Sequence, residues 1–194
     1  METTLKTAPV KEPVSLDDAK KHLRVDDDYT IDDNMLVQMI TDARFWVEEY
    51  LWRKLITQTW YAYLPEWPMG DYFELPFGKL QSVTAIKYTD TDGDVTTWSA
   101  SEYIVGSDYL RGRVTLAYGY SWPNASLYPS NPIEIEFICG YGATSATVPG
   151  IIKRGIAILV AEMYENREIT MFGQTMKEHP LMEILLAPYR LAEL

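Results

Sequence analysis

The chain has 194 residues, 47% of them hydrophobic and 23% charged, with a formal net charge of −11. That length suits one domain, or one domain carrying an insertion, and a core that needs neither disulfides nor metal to hold it. The acidic balance excludes tight binding to a nucleic-acid backbone, which needs clustered Lys and Arg, but not a place beside DNA.

Residues 1–14 carry two prolines and little pattern, and read as an N-terminal arm, disordered alone or draped on a partner. "SLDDAKKHL" then predicts a helix near 15–24. Ser15 stands as its N-cap, Asp17 and Asp18 suit the first turn, and Leu16, Ala19 and Leu23 form the apolar stripe. "RVDDDYTIDD" is a polar link. A longer helix over 32–53 follows, with Met35, Leu36, Met39, Ile40, Ala43, Trp46, Val47, Tyr50 and Leu51 at helical spacing.

Near Ile56 the pattern changes to alternation. "ITQTWYAYL", "FELPF", "SEYIVG" and "GRVTLAYG" read as strands broken by Pro and Gly. "SVTAIKYTDTDGDVTTW" reads as two strands around an Asp92-Gly93 turn. In "IEIEFICGYG", Ile133, Ile135 and Phe137 alternate with Glu134, Glu136 and Ile138. Helix returns near 149–167, with Pro149 in the first turn, and again near 179–187 in "PLMEILLAPYR". The predicted fold class is therefore α+β: a small helical core (15–55 and 148–194) interrupted by a β-rich insertion (56–147, its strands within about 56–141).

Most chemical motifs dissolve on inspection. Asp90, Asp92 and Asp94 suggest a calcium loop, but an EF-hand needs Gly at position 6 and Glu at position 12. Here Gly93 falls two residues early and Ser101 takes the final place, so a turn explains every residue. His22 and His179 have no His or Cys at ligand spacing, so no metal is expected. The lone Cys139 forms no internal bridge, reads as a small buried hydrophobe and points to a reducing compartment. There is no phosphate loop, and "GYSWP" has Pro123 where a nucleophile elbow has Gly. No cofactor is expected. No export-signal pattern is visible, and the longest apolar run, 155–161, is far short of the roughly 20 residues that span a bilayer.

One segment stands out, "VPGIIKRGIAILVAEMYENRE". Lys153 and Arg154 occupy its first turn and Glu162 and Glu165 its last, both against the helix dipole. Arg167 follows. A site would use Glu162 and Glu165 as acid and base, but no further ligand or carboxylate is at hand. Charge on a solvated face is the bland alternative. A basic start and an acidic end also suit a ring in which one subunit's helix end meets its neighbour. The 6 Trp, 14 Tyr and 5 Phe hint at interfaces too.

The order of the pieces resembles a known family. "PVSLDDAKKHLRVDDDYTIDDNMLVQMITDARFWVEEYLWRKLITQTW" is similar to the opening of the head–tail connector proteins (head-completion adaptors) of long-tailed bacteriophages and prophages. Its "Y-x-x-R-x-L-I-x-Q-x-W" run is Tyr50, Arg53, Leu55, Ile56, Gln58 and Trp60. "LPFGKLQSVTAIKYTDTDG", the 148–168 helix and "LLAPYR" resemble later parts, whereas 170–178 carries no match. The resemblance implies a structural virion protein at the head–tail interface, made in the host cytoplasm, and not an enzyme. It implies a homo-oligomeric ring, typically dodecameric, under the portal protein. Such a ring extends the DNA channel, without sequence-specific DNA binding, and is a platform for the next connector, stopper or tail-completion protein. Lys153, Arg154, Glu162, Glu165 and Arg167 are the expected subunit contacts. Tyr189, Arg190, Leu191 and Leu194, or the N-terminal arm, are the expected portal contacts. The alternatives are another morphogenesis role, in tail completion or DNA packaging, and an enzyme using Glu162 and Glu165.

Overall fold

The computed structural model describes residues 1–107, 111–166 and 180–191 of an α+β chain that divides into two compact units. The β unit is formed by residues 1–9 and 57–141, the helical unit by 10–56 and 142–194.

Among the described residues, the β unit has eight strands: β1 (Glu2–Thr7), β2 (Gln58–Leu64), β3 (Tyr72–Glu74), β4 (Leu80–Thr89), β5 (Val95–Thr97), β6 (Tyr103–Gly106), β7 (Arg113–Leu116) and β8 (Ile133–Cys139). They build one sheet in the order β1-β2-β8-β4-β5 and a second in the order β3-β7-β6, antiparallel throughout. The predicted alternation in β8 sets the register. Ile133, Ile135 and Phe137 are fully buried, opposite Leu64, Ala62 and Trp60 of β2. Phe73 and Val114 of the second sheet join Ile86 and Phe137 of the first in one core. Burying an aliphatic or Phe side chain contributes about 1.5–3 kcal/mol over leaving it exposed. A Cβ on Gly112 would run into the Leu80 side chain, so only glycine fits there.

Trp67, Trp98 and Trp122 pack together, with Trp67 and Trp122 stacked 5.3 Å apart. The aromatic excess, an interface signal in composition alone, is thus in good part core. The predicted turn forms between β4 and β5. Asp90 accepts the backbone N–H groups of Asp92 and Asp94, both at 3.0 Å, and Gly93 takes φ 87°. That carboxylate serves the turn.

The expected N-terminal arm is a correction. Residues 2–7 are the edge strand β1, paired with β2, and Val14 is buried in the helical unit. Thr3, Thr4, Leu5 and Thr7 are able strand formers, and pairing overrides the tendency of termini to fray. Lys6 anchors the strand, its ammonium 2.7 Å from Glu136 and 5.0 Å from the Tyr61 ring centroid.

The helical unit contains α1 (Leu16–Leu23), α2 (Asp33–Leu51), α3 (Gly150–Glu165) and α4 (Pro180–Leu186). Ser15 caps α1 by accepting the Asp18 N–H at 3.1 Å. Arg24 and Trp52 end α1 and α2 in the left-handed conformation. α2 and α3 pack together, α1 lies against both, and α4 lies on α3. Leu36, Ile40, Ala43, Val47 and Leu51 form the buried face of α2; Ile152, Gly155, Ile156 and Val160 form that of α3. Gly155 admits Met182 and Leu186 of α4.

This unit also buries charge. Arg44 bridges Glu12 at 2.6 Å and Glu48 at 3.2 Å, and Glu48 accepts the Leu55 N–H at 2.9 Å. Lys20 reaches the Tyr29 carbonyl at 2.8 Å and the Asp33 carboxylate at 2.6 Å, so the acidic link after α1 is gathered around one lysine. Each buried ion is hydrogen-bonded, as burial requires.

Candidate functional site

α3 carries the predicted charge cluster. Lys153 is half-buried at the end of the first turn and Arg154 exposed just past it; Glu162 is half-buried and Glu165 exposed in the last turn. A rise of about 1.5 Å per residue separates Arg154 from Glu162 by about 12 Å along the axis, so the helix does not bring its two charge groups together. Neither Lys153 nor Arg154 has an ion-pair partner among the described residues. The end of α3 is closed by Asn166, whose N–H and amide both donate to the Glu162 carbonyl, at 2.9 and 3.1 Å. Tyr164 donates to Asp32 at 2.7 Å, tying this end to the start of α2. Arg167 and His179 lie outside the described residues.

Acid–base chemistry would need a cavity. The helical unit has a groove of about 330 Å³ lined by Val14, Leu16, Val37 and Ile40 among others, and the β unit one of about 350 Å³ beside Trp98 and Glu102. Glu162 and Glu165 line neither. Among the described residues no group of three His, Cys, Asp or Glu is placed to hold a metal.

The C-terminal segment is held at the end of α2. Arg53, buried, donates its Nε–H to the Tyr189 carbonyl at 2.6 Å. The Leu191 N–H donates to the Leu51 carbonyl at 3.0 Å. Arg190 is exposed, its guanidinium 5.0 Å from the Tyr50 ring centroid. Leu191 is buried, which corrects its assignment as a docking residue: it closes the core of its own unit. Leu194 lies outside the described residues.

These contacts give the Tyr50–Trp60 motif a physical meaning. Tyr50 supports Arg190, Arg53 holds the C-terminal segment, and Leu55 and Ile56 are buried. Gln58, buried in β2, accepts the Trp60 indole N–H at 3.1 Å. Each of these residues thus has a structural role within its own unit.

Sequence periodicity misses one feature. Phe45 is 59% and Trp46 43% exposed, side by side on the outer face of α2. Trp46 thus leaves the inward stripe that its spacing predicts. The available signal is adjacency: consecutive helical residues diverge by about 100°, so Phe45, Trp46 and Val47 cannot all face one core.

The family model described as phage gp6-like head-tail connector protein matches residues 13–109. Three solved structures share the fold over 100% of this chain and 97% of theirs. The neck of an empty gene transfer agent particle, computed with C6 symmetry, aligns at 24% identity and a TM-score of 0.83. The virion of a native gene transfer agent particle aligns at 24% identity and 0.80. The neck of the native particle, computed with C12 symmetry, aligns at 22% identity and 0.80. No curated protein sequence matches the chain.

Proposed function

The chain belongs to the phage gp6-like head-tail connector family, and from that premise we propose that it is an adaptor that forms a ring beneath the portal. As a member of that family it is a structural protein of a phage-type virion, placed at the head–tail junction, and not an enzyme. The observation that carries the ring is the end-to-end likeness to neck proteins solved in particles of C6 and C12 symmetry. In our reading the ring extends the DNA channel and is the platform for the next connector or tail-completion protein. The net charge of −11 supports passage of DNA without retention.

The division of labour we propose follows the two units. The helical unit holds ring and portal contacts, with Lys153, Arg154, Glu162, Glu165 and Arg167 toward neighbouring subunits. Tyr189, Arg190 and the residues that follow Leu191 face the portal. A charged helix whose ends oppose its dipole gains when each end meets opposite charge on another copy.

Particle mass by light scattering, over a wide concentration range with and without purified portal, tests this. A ring-sized particle, alone or only with portal, is expected. A chain that stays monomeric under both conditions overturns the adaptor reading.

A further inference from the structure

A closed ring with rotational symmetry is held by head-to-tail contacts, so each subunit needs two different complementary surfaces. Among the described residues, the helical unit has two helix faces of that kind with no element packed on them.

The first is the outer face of α2. Gln38, Asp42, Phe45, Trp46 and Glu49, at spacing i, i+4, i+7, i+8 and i+11, are all exposed. Two large aromatics occupy its centre. Trp46 is held in place: its ring stacks on Tyr50 at 5.4 Å and 6°, and Arg190 sits over Tyr50. A fixed indole loses little freedom on docking, which favours it as an anchor. The flanking charge is negative. Glu49 is engaged by Lys54 of its own chain at 2.9 Å, whereas Asp42 accepts only a neutral amide, from Gln38 at 2.9 Å. No basic residue lies on this stripe.

The second is the outer face of α3. Ile151 and Arg154 are exposed, Ile158, Ala161 and Glu162 half-buried, and Glu165 exposed. Their spacing, i, i+3, i+7, i+10, i+11 and i+14, is that of a helix-packing seam. The seam opens with an apolar and a basic side chain. Ile158 and Ala161, both half-buried, continue it as apolar surface. Arg154 has no carboxylate partner among the described residues. Because α2 and α3 pack their inner faces together, these outer faces point to opposite sides of the helical layer.

We propose that the outer face of α2 in one copy receives the outer face of α3 in the next. Phe45 and Trp46 lie over Ile158 and Ala161, and Arg154 pairs with Asp42. The occupant is a second copy of this chain because aromatic side chains meet aliphatic ones and Asp42 meets Arg154, while Glu49, which this register brings toward Glu162, is already paired with Lys54 of its own chain. The proposal rests on the ring reading given above and adds the surfaces that make the ring.

The test uses the full chain, by light scattering with and without portal. Phe45→Ser with Trp46→Ser removes exposed side chains, so thermal unfolding stays near wild type. The concentration for half-assembly rises by about tenfold or more. Arg154→Asp and Asp42→Arg each weaken assembly, and their combination restores it. Wild-type assembly by the Phe45/Trp46 double variant, or no rescue in the charge swap, overturns the pairing while leaving the ring intact. A double variant that rings normally but fails to bind portal assigns the α2 face to the portal and also overturns it. A wild-type chain that never assembles overturns the ring and the pairing together.

Discussion

In the β unit, Trp60, Trp67, Trp98 and Trp122 turn inward, and its one buried polar side chain among those described is the neutral Gln58. In the helical unit Phe45 and Trp46 turn outward, while Lys20, Arg44, Glu48, Arg53 and Lys54 are buried. The two units solve the same problem differently. Two facing sheets enclose enough apolar surface for an aromatic core. The helices bury a mainly aliphatic core, and beside it ion pairs and hydrogen bonds fix the link after α1, the exit from α2 and the C-terminal segment. Outer helix faces are left for other work.

Substitutions can break this contrast, and the largest effects are expected in the two cores. Glu48→Ala strips Arg44 and the Leu55 N–H of a buried partner, and denaturant unfolding should show a loss of about 3–5 kcal/mol. Phe137→Ala leaves a cavity in β8 and should cost a similar ~3–5 kcal/mol, by loss of packing. A Glu48→Ala protein that unfolds like wild type would remove the claim that charge organises the helical unit.

Arg53→Ala is the next step down. It deletes one charge-assisted hydrogen bond, to the Tyr189 carbonyl, at about 1.5–3 kcal/mol. The Leu191 amide should then exchange with solvent well before the amides of α3. Ser15→Ala should cost about 1 kcal/mol through the lost cap on α1, read as a small drop in the unfolding midpoint. The smallest effect concerns Lys6. The Glu136 carboxylate, and then the Tyr61 hydroxyl, hydrogen-bond to its ammonium and raise its pKa from 10.5 to about 12. A raised pKa gives stability that is complete below 10.5 and is lost as pH rises toward 12. Protection of the β1 amides, after correction for the base-catalysed rise in intrinsic exchange, should therefore fall only in that alkaline window, and Lys6→Met should abolish that fall.

The sequence makes some of this legible because period and burial agree. In β8, Ile133, Ile135 and Phe137 face one core, and in α2 Leu36, Ile40, Ala43 and Val47 do the same. Ser15 and the Asp92-Gly93 turn are local chemistry, readable from a few residues. β1 was not legible, because an edge strand at a chain end is fixed by a partner more than fifty residues away. The buried charges were hidden for the same reason. Glu12, Arg44 and Glu48 look like surface residues until the fold brings them together. In the candidate site, periodicity finds the charge ends of α3. It places Trp46 inward because a one-dimensional stripe does not say where the core stops.

The measurement that bears most directly on the account is hydroxyl-radical footprinting of the full chain, free at low concentration and assembled. Phe45 and Trp46, open in the single chain, should become shielded on assembly, while Met69 and Tyr118 of the β unit, 107% and 102% exposed, should stay reactive. Shielding of Met69 and Tyr118 with Phe45 and Trp46 unchanged would contradict the account and place assembly on the β unit.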